Sequence, residues 1–242
     1  MAFTTVNDRV GVAPRHIGLV GGIGPAATDY YYRRLIAGFA AAGVPLTLTI
    51  AHADAPTLLA NLAAGAVVEQ AAIYQRLADR LAAAGADCIA ITSIAGHFCI
   101  DRFAPLSPLP VVDMISTITA AVRAQRFGRI GILGTRTVMA SRLYGVDTGA
   151  VIVPPAGAAF DAVHDAYAAM AAAGTVTDAQ RQVFDAASAE LLATGCEAIL
   201  LGGTDLALVY QPGSSRFPII DCAGIHADAI MRHALGHREI DG

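Results

Sequence analysis

The stretch Gly18-Leu-Val-Gly-Gly-Ile-Gly-Pro25 carries an apolar run into a glycine turn and from there into an alanine-rich segment. That order reads as strand, loop and helix, with Pro25 in the first helical turn, where its missing N–H costs nothing. The pattern returns 113 positions later at Gly131-Ile-Leu-Gly-Thr-Arg-Thr-Val138. A second pair, Gly85-Ala-Asp-Cys-Ile-Ala-Ile-Thr-Ser93 and Gly195-Cys-Glu-Ala-Ile-Leu-Leu-Gly-Gly203, repeats at 110 positions. Two strand-end loops of one half therefore recur in the same order in the other.

Between these landmarks, apolar runs bounded by glycine alternate with amphipathic segments, the pattern of βαβ units on a parallel sheet. Strands are expected at His16–Val20, Leu46–His52, Asp87–Thr92, Arg129–Leu133, Ala150–Val153, Ala198–Leu201 and Pro218–Ile220. Helices are expected at Pro25–Ala41, Val67–Ala84, Met114–Gln125, Ala158–Ala173, Asp178–Thr194 and Gly224–Leu235, with Thr177 or Asp178 as a cap. The fold class is α/β, with two pseudo-symmetric lobes, each a parallel four-stranded sheet flanked by helices. One lobe takes residues 1–114 plus 221–242 and the other 115–220. Ligands of parallel sheets sit at the carboxyl ends of strands, where all four repeated loops lie, so the site is placed in the cleft between the lobes.

Composition narrows the partners. Apolar residues make up 55% of the 242 and charged residues 15%, which excludes a disordered chain. A net charge of -4 with no basic run leaves nucleic acid no cationic face. Mean hydropathy is +0.54, yet no apolar run approaches the ~20 residues of a spanning helix, so no membrane association is expected. Met1–Arg15 has no apolar h-region, and Cys88, Cys99, Cys196 and Cys222 follow no framework spacing. A cytoplasmic protein with free thiols is the plain reading; a homodimer is left open. No His/Cys/Asp/Glu grouping has metal-ligand spacing, and neither a metal nor a cofactor is called for.

The loops supply the chemistry. Gly22, Ile23 and Gly24 open a helix with free amides, either as a nest for an anion or as a tight turn only. It is not a dinucleotide fingerprint, because Pro25 and Ala26 break the glycine spacing. Thr92, Ser93 and Ile94 end the third strand, with His97 a turn beyond. His97 is either a general acid/base or a residue that bonds its own loop. Gly203, Thr204 and Asp205 end the sixth strand. Asp205 either orients His97 or accepts a proton, or else caps the turn that follows. A Ser93–His97–Asp205 triad is conceivable but has no nucleophile elbow. His52 and Asp54 end the second strand; Thr135, Arg136, Thr137 and Tyr144 surround the second glycine loop.

Taken together, these loops resemble the aspartate/glutamate racemase superfamily of cofactor-independent enzymes, from about His16 to Leu235. Gly18 to Thr28 is similar to the family opening G-x-x-G-G-M-G-P-x-A-T. Leu133 to Met139, followed by Tyr144, is similar to L-G-T-x-x-T-M…Y. Leu201 to Asp205 stands at L-G-C-T-E, and Gly85 to His97 at G-A-D…C-N-T-x-H.

The departures matter as much. The resemblance places the family's two proton-transferring cysteines on Ser93 and Gly203, and its Asn and Thr on Ile94 and Ala95. A serine hydroxyl is far less acidic than a thiol, and glycine donates nothing, so two-thiol racemisation is not expected. No basic residue lies in Ala53–Asn61 or Pro155–Ala162 to clamp a carboxylate. The expected activity is proton transfer of isomerase, lyase or decarboxylase type on a small, partly apolar acid or carbonyl compound. His97, Ser93 and Asp205 are its catalytic candidates. Gly22, Ile23, Gly24, His52, Thr92, Ile94, Thr135, Thr137, Gly203 and Thr204 are its binding candidates. A conventional amino-acid racemase and a catalytically silent binding protein are the alternatives.

Overall fold

The computed structural model describes residues 14–210 and 215–236. The reading of Met1–Arg15 falls, up to residue 13, outside the described residues, as does the end of the first lobe from residue 237. In chain order the elements are β1 (Ile17–Gly21), α1 (Pro25–Ala42), β2 (Leu48–His52), α2 (Ala55–Ala64), α3 (Val67–Ala83) and β3 (Cys88–Ile91). Next come a 3-10 turn (Ala95–Cys99), α4 (Ile100–Phe103), α5 (Met114–Gln125), β4 (Arg129–Gly134), α6 (Arg136–Ala140) and β5 (Val151–Val153). The chain ends with α7 (Ala158–Ala173), α8 (Asp178–Ala193), β6 (Ala198–Gly202), a 3-10 helix (Thr204–Leu208), β7 (Ile219–Ile220) and α9 (Cys222–Ala234). Among the described residues no helix is long and apolar enough to cross a membrane.

Every strand pairing is parallel, in two sheets ordered β2-β1-β3 and β5-β4-β6-β7. The first sheet has three strands where four were expected, and a single parallel bridge between Ile89 and Val111 stands in the fourth position. The cause is local. Pro110 accepts from the Ile89 amide but has no N–H to give, and Asp113 leaves immediately as the N-cap of α5. The second half does the same with Pro218-Ile-Ile-Asp221, where Asp221 caps α9 and β7 is only two residues long. Pro110-Val-Val-Asp113 and Pro218-Ile-Ile-Asp221, 108 positions apart, are thus a third repeated element. Helix α8 is capped by Thr177 through a reciprocal box with Gln180, which settles the choice between Thr177 and Asp178. Helices α2, α4 and α6 lie outside the expected set; α4 and α6 are too short to show a period.

Side-chain alternation in the strands builds two cores. Ile17, Leu19, Cys88 and Ala90 join a core shared with Ile130, Ile132 and Leu200 of the second sheet. Val20, Ile89 and Ile91, on the opposite face, pack against Leu58, Leu77, Leu81 and Phe103. Each such aliphatic side chain contributes about 1.5–3 kcal/mol on burial. Helix α9 lies on α1, where Arg34 forks onto both oxygens of Asp228 at 2.9 and 2.8 Å and Tyr31 bonds His226 at 2.9 Å.

Candidate active site

Helix α1 begins at Pro25 with Gly24 as a cap that has no side chain to offer its free amides. The missing cap arrives from the other half of the molecule. Asp205 Oδ1 accepts the Ala27 amide at 3.1 Å, so the anion at this helix N-terminus is the protein's own carboxylate. The glycine turn is closed by one hydroxyl: Thr28 Oγ1 accepts the Gly22 amide at 2.9 Å and donates to the Gly24 carbonyl at 3.2 Å. Of the amides in the Gly22, Ile23 and Gly24 turn, that of Gly22 is bonded within the chain, as is the Ala27 amide beyond it.

The repeated loops are linked pairwise by contacts. Asp205 touches the first loop at Gly24 and Ala27. Its second oxygen accepts the Tyr167 hydroxyl of α7 at 3.2 Å. At the ends of β4 and β6, a side chain on Gly134 would run into the Gly202 carbonyl, and one on Gly202 into Ile132 and the Leu133 carbonyl at 2.9 Å. Tyr144, from the turn after α6, donates to the Ile94 and Ala95 carbonyls of the Ser93 loop at 3.1 and 3.2 Å. That turn is held against its own preference. Arg142, Leu143 and Tyr144 have φ of 51°, 61° and 60°, a left-handed run costing about 1–2 kcal/mol per residue. Buried Leu143 and the two Tyr144 bonds hold it in place.

Burial sets the electrostatics. Asp205 is 2% exposed, and burial raises its carboxyl to about 6, an effect the Ala27 amide and the Tyr167 hydroxyl only partly offset. Desolvation pushes the Tyr167 phenol well above its ordinary value, with the Asp205 charge adding to it. The four thiols are all buried and free. Burial lifts Cys99 to about 12 and Cys88 to about 11, and Cys222 well above the usual range, so these three carry no thiolate at neutral pH.

Several expected site residues are placed otherwise than the sequence implied. His97 and Asp205 are not partners. His97 donates from Nδ1 to the Ser93 carbonyl at 2.6 Å and accepts the Met114 amide at Nε2 at 3.4 Å. Its acidic neighbour is Asp113, 3.7 Å away, and burial lowers its pKa. With both ring nitrogens bonded inside the fold, His97 binds the Ser93 loop to the start of α5, the local role that was its alternative. Asp205 caps α1 rather than the turn that follows it. His52 is exposed and stands over Gly22, and Thr137 is exposed in the first turn of α6. Thr135 caps α6, and the Thr92 hydroxyl donates to the Val20 carbonyl at 3.1 Å. Ser93 Oγ accepts the Gly96 amide at 3.3 Å. Ile23 and Ile94 are buried apolar wall.

Tyr167 was missed because Val163, Tyr167 and Met170 form a core stripe on α7, and no sequence signal separates a phenol with a task from one that fills space. Asp113 and Tyr144 had signals: the Pro-x-x-Asp repeat for the first, the second glycine loop for the other.

Thr204 Oγ1 is buried without a hydrogen-bond partner among the described residues. A valine there keeps the shape and removes the unsatisfied group. Thr204→Val is expected to stabilise the protein by about 1–2 kcal/mol, read as a higher urea midpoint at unchanged slope. A lower midpoint would show that the hydroxyl is bonded in solution.

The family model described as Asp/Glu/Hydantoin racemase matches residues 20–230. Among solved structures, the chain is similar to a candidate Asp/Glu racemase from Yersinia pestis, at 24% identity over 91% of this chain and 99% of that one, TM-score 0.78. It is also similar to PH1733, an aspartate racemase homologue from Pyrococcus horikoshii OT3, at 22% identity over 91% and 99%, TM-score 0.74. A glutamate racemase from Francisella tularensis, solved with D-glutamate, matches at 14% identity over 96% and 86%, TM-score 0.63. At these identities the structural likeness speaks for the fold alone.

Proposed function

Because the chain belongs to the Asp/Glu/Hydantoin racemase family, we propose that it is a divergent enzyme of that family. Its activity on this reading is cofactor-independent proton transfer of isomerase, lyase or decarboxylase type on a small, partly apolar acid or carbonyl compound between the two halves. The observation that carries the reading is Asp205, a buried carboxyl raised to about 6 between the first glycine turn and α7. A general acid/base works best when its pKa lies near the operating pH, and burial gives this aspartate that value. Ser93 and Thr204 supply hydroxyls for a developing oxyanion. His97 acts as a positioning residue that fixes the Ser93 loop. The buried side chains of the four loops include Asp205 but no lysine or arginine, which favours a neutral or singly charged substrate over a dicarboxylate.

A ligand-binding protein without turnover is the second reading, favoured by the engagement of both His97 nitrogens within the fold. Incubation in D₂O with 2-oxobutanoate, acetoacetate and 2-phenylpropanoate, followed by NMR, separates the two. Exchange above the spontaneous background with at least one probe, lost in Asp205→Asn, is the expected result. Exchange with none of them, beside a ligand retained through purification, would favour the binder. Aspartate and glutamate are expected to keep their configuration, because Ser93 and Gly203 carry no thiol.

A further inference from the structure

The end of β6 has a space that its own residue does not fill. Gly203 has extended backbone, so its lack of a side chain answers no conformational need. A Cβ there would lie 2.6 Å from Cζ and 2.8 Å from the hydroxyl oxygen of Tyr167, and closer still to Cε2. The phenol occupies the place a side chain at 203 would take, and its hydroxyl reaches Asp205 Oδ2 at 3.2 Å. Tyr167 is 6% exposed and Asp205 2%. Helix α1 gives the carboxyl the Ala27 amide and brings Asp29, Tyr30, Arg33 and Arg34 to the cavity that Asp205 also lines; the other titratable group that acts on Tyr167 is Tyr144.

Resting on the proton-transfer reading above, we infer that Tyr167 is a proton-carrying residue of this site and works with Asp205 as one unit. In the protonation direction the Tyr167 hydroxyl gives its proton to the carbanionic carbon of the substrate. The Asp205 carboxylic acid returns a proton to the phenolate oxygen. A C–H bond forms, the Asp205 O–H bond breaks, Tyr167 ends unchanged and Asp205 is left as carboxylate. The reverse order removes the proton. A hydroxyl alone is too weak an acid to cycle at neutral pH, whereas one backed by a carboxyl near 6 is recharged at once.

Two measurements on the full chain test this, one of them without any substrate. Ultraviolet difference spectra between pH 5 and 7.5 are expected to show a tyrosine perturbation with a midpoint of about 6. It should vanish in Tyr167→Phe and in Asp205→Asn. Persistence of the signal in Tyr167→Phe, or its absence from the unaltered protein, overturns the pairing. With a probe that the unaltered protein exchanges, Tyr167→Phe is expected to lower the rate by about 10²-fold, with Asp205→Asn adding little on top. Full exchange in Tyr167→Phe overturns the role, since the retained ring still packs against Gly203. If the unaltered protein exchanges no probe, the enzymatic reading fails, while the spectral titration still decides whether Tyr167 and Asp205 share a proton.

Discussion

Gly24→Ala is expected to destabilise the protein by about 3–5 kcal/mol, far beyond the usual effect of a glycine replacement at a helix end. Two costs combine. Gly24 has a φ of 98°, where an L-residue pays about 1–3 kcal/mol of strain. Its new Cβ would also stand 2.5 Å from Asp205 Oδ2 and 2.7 Å from Oδ1, so the carboxyl must leave. The Ala27 amide and the Tyr167 hydroxyl then lose their buried acceptor, at about 1–3 kcal/mol. Gly65 is the control: its φ is 63° and a Cβ there meets nothing within 4 Å, so Gly65→Ala should cost only the left-handed backbone strain, about 1–2 kcal/mol. Urea unfolding of both variants measures the gap; equal losses would mean that Asp205 does not press on Gly24 in solution.

Acidification should separate Asp205→Asn from the unaltered protein by about 3 kcal/mol between pH 7 and pH 4. The sign follows from which state takes the proton first. Burial raises the Asp205 carboxyl to about 6 in the fold, against an ordinary value of 3.8. As pH falls through 6, the native state protonates before the unfolded chain and gains stability, about 1.4 kcal/mol per unit over some two units. Asparagine has no such gain. His226 works the other way. Burial lowers it to about 3, from an ordinary 6.5, with His97 6.2 Å away adding to the effect. Below 6.5 the unfolded chain takes the proton while the native state does not, so stability drains away as pH falls toward 3. In the unaltered protein Asp205 offsets part of that loss; in Asp205→Asn the acid sensitivity of His226 stands uncovered. Denaturant midpoints at the two pH values give the comparison. An Asp205→Asn variant that loses no more than its parent would show that the carboxyl titrates normally.

The fold was legible because its signals are local and repeated. Glycine turns at Gly21 and Gly134 and apolar runs at β3 and β6 need only strand length and periodicity to be read. The fourth position of the first sheet was not, because a proline and a capping aspartate reduce it to one bridge at Val111, below the length at which alternation exists. At the site, Asp205 follows the end of β6, as its place in the sequence implied. The partners do not, since His97 turns to Ser93 and Met114 and Asp205 to Ala27 and Tyr167. Which acceptor a buried donor meets depends on contacts between residues as far apart as 27 and 205, and no local pattern encodes that. Tyr167 is the clearest case, a core position by period and a polar one by where its ring ends.

The cap on α1 has a consequence for motion. Helix and carboxylate belong to opposite halves of the molecule, so the halves cannot part without uncapping the first turn of α1 and wetting Asp205. Once hydrated, the carboxyl returns toward 3.8, and between that value and 6 it must release a proton to the solvent. Inside that window parting the halves would release a proton and closing them would take one up; at neutral pH the carboxyl is ionised in both states. The cap on α1 thus ties the contact between the two sheets to one ionisable oxygen pair, whose hydration would set its charge.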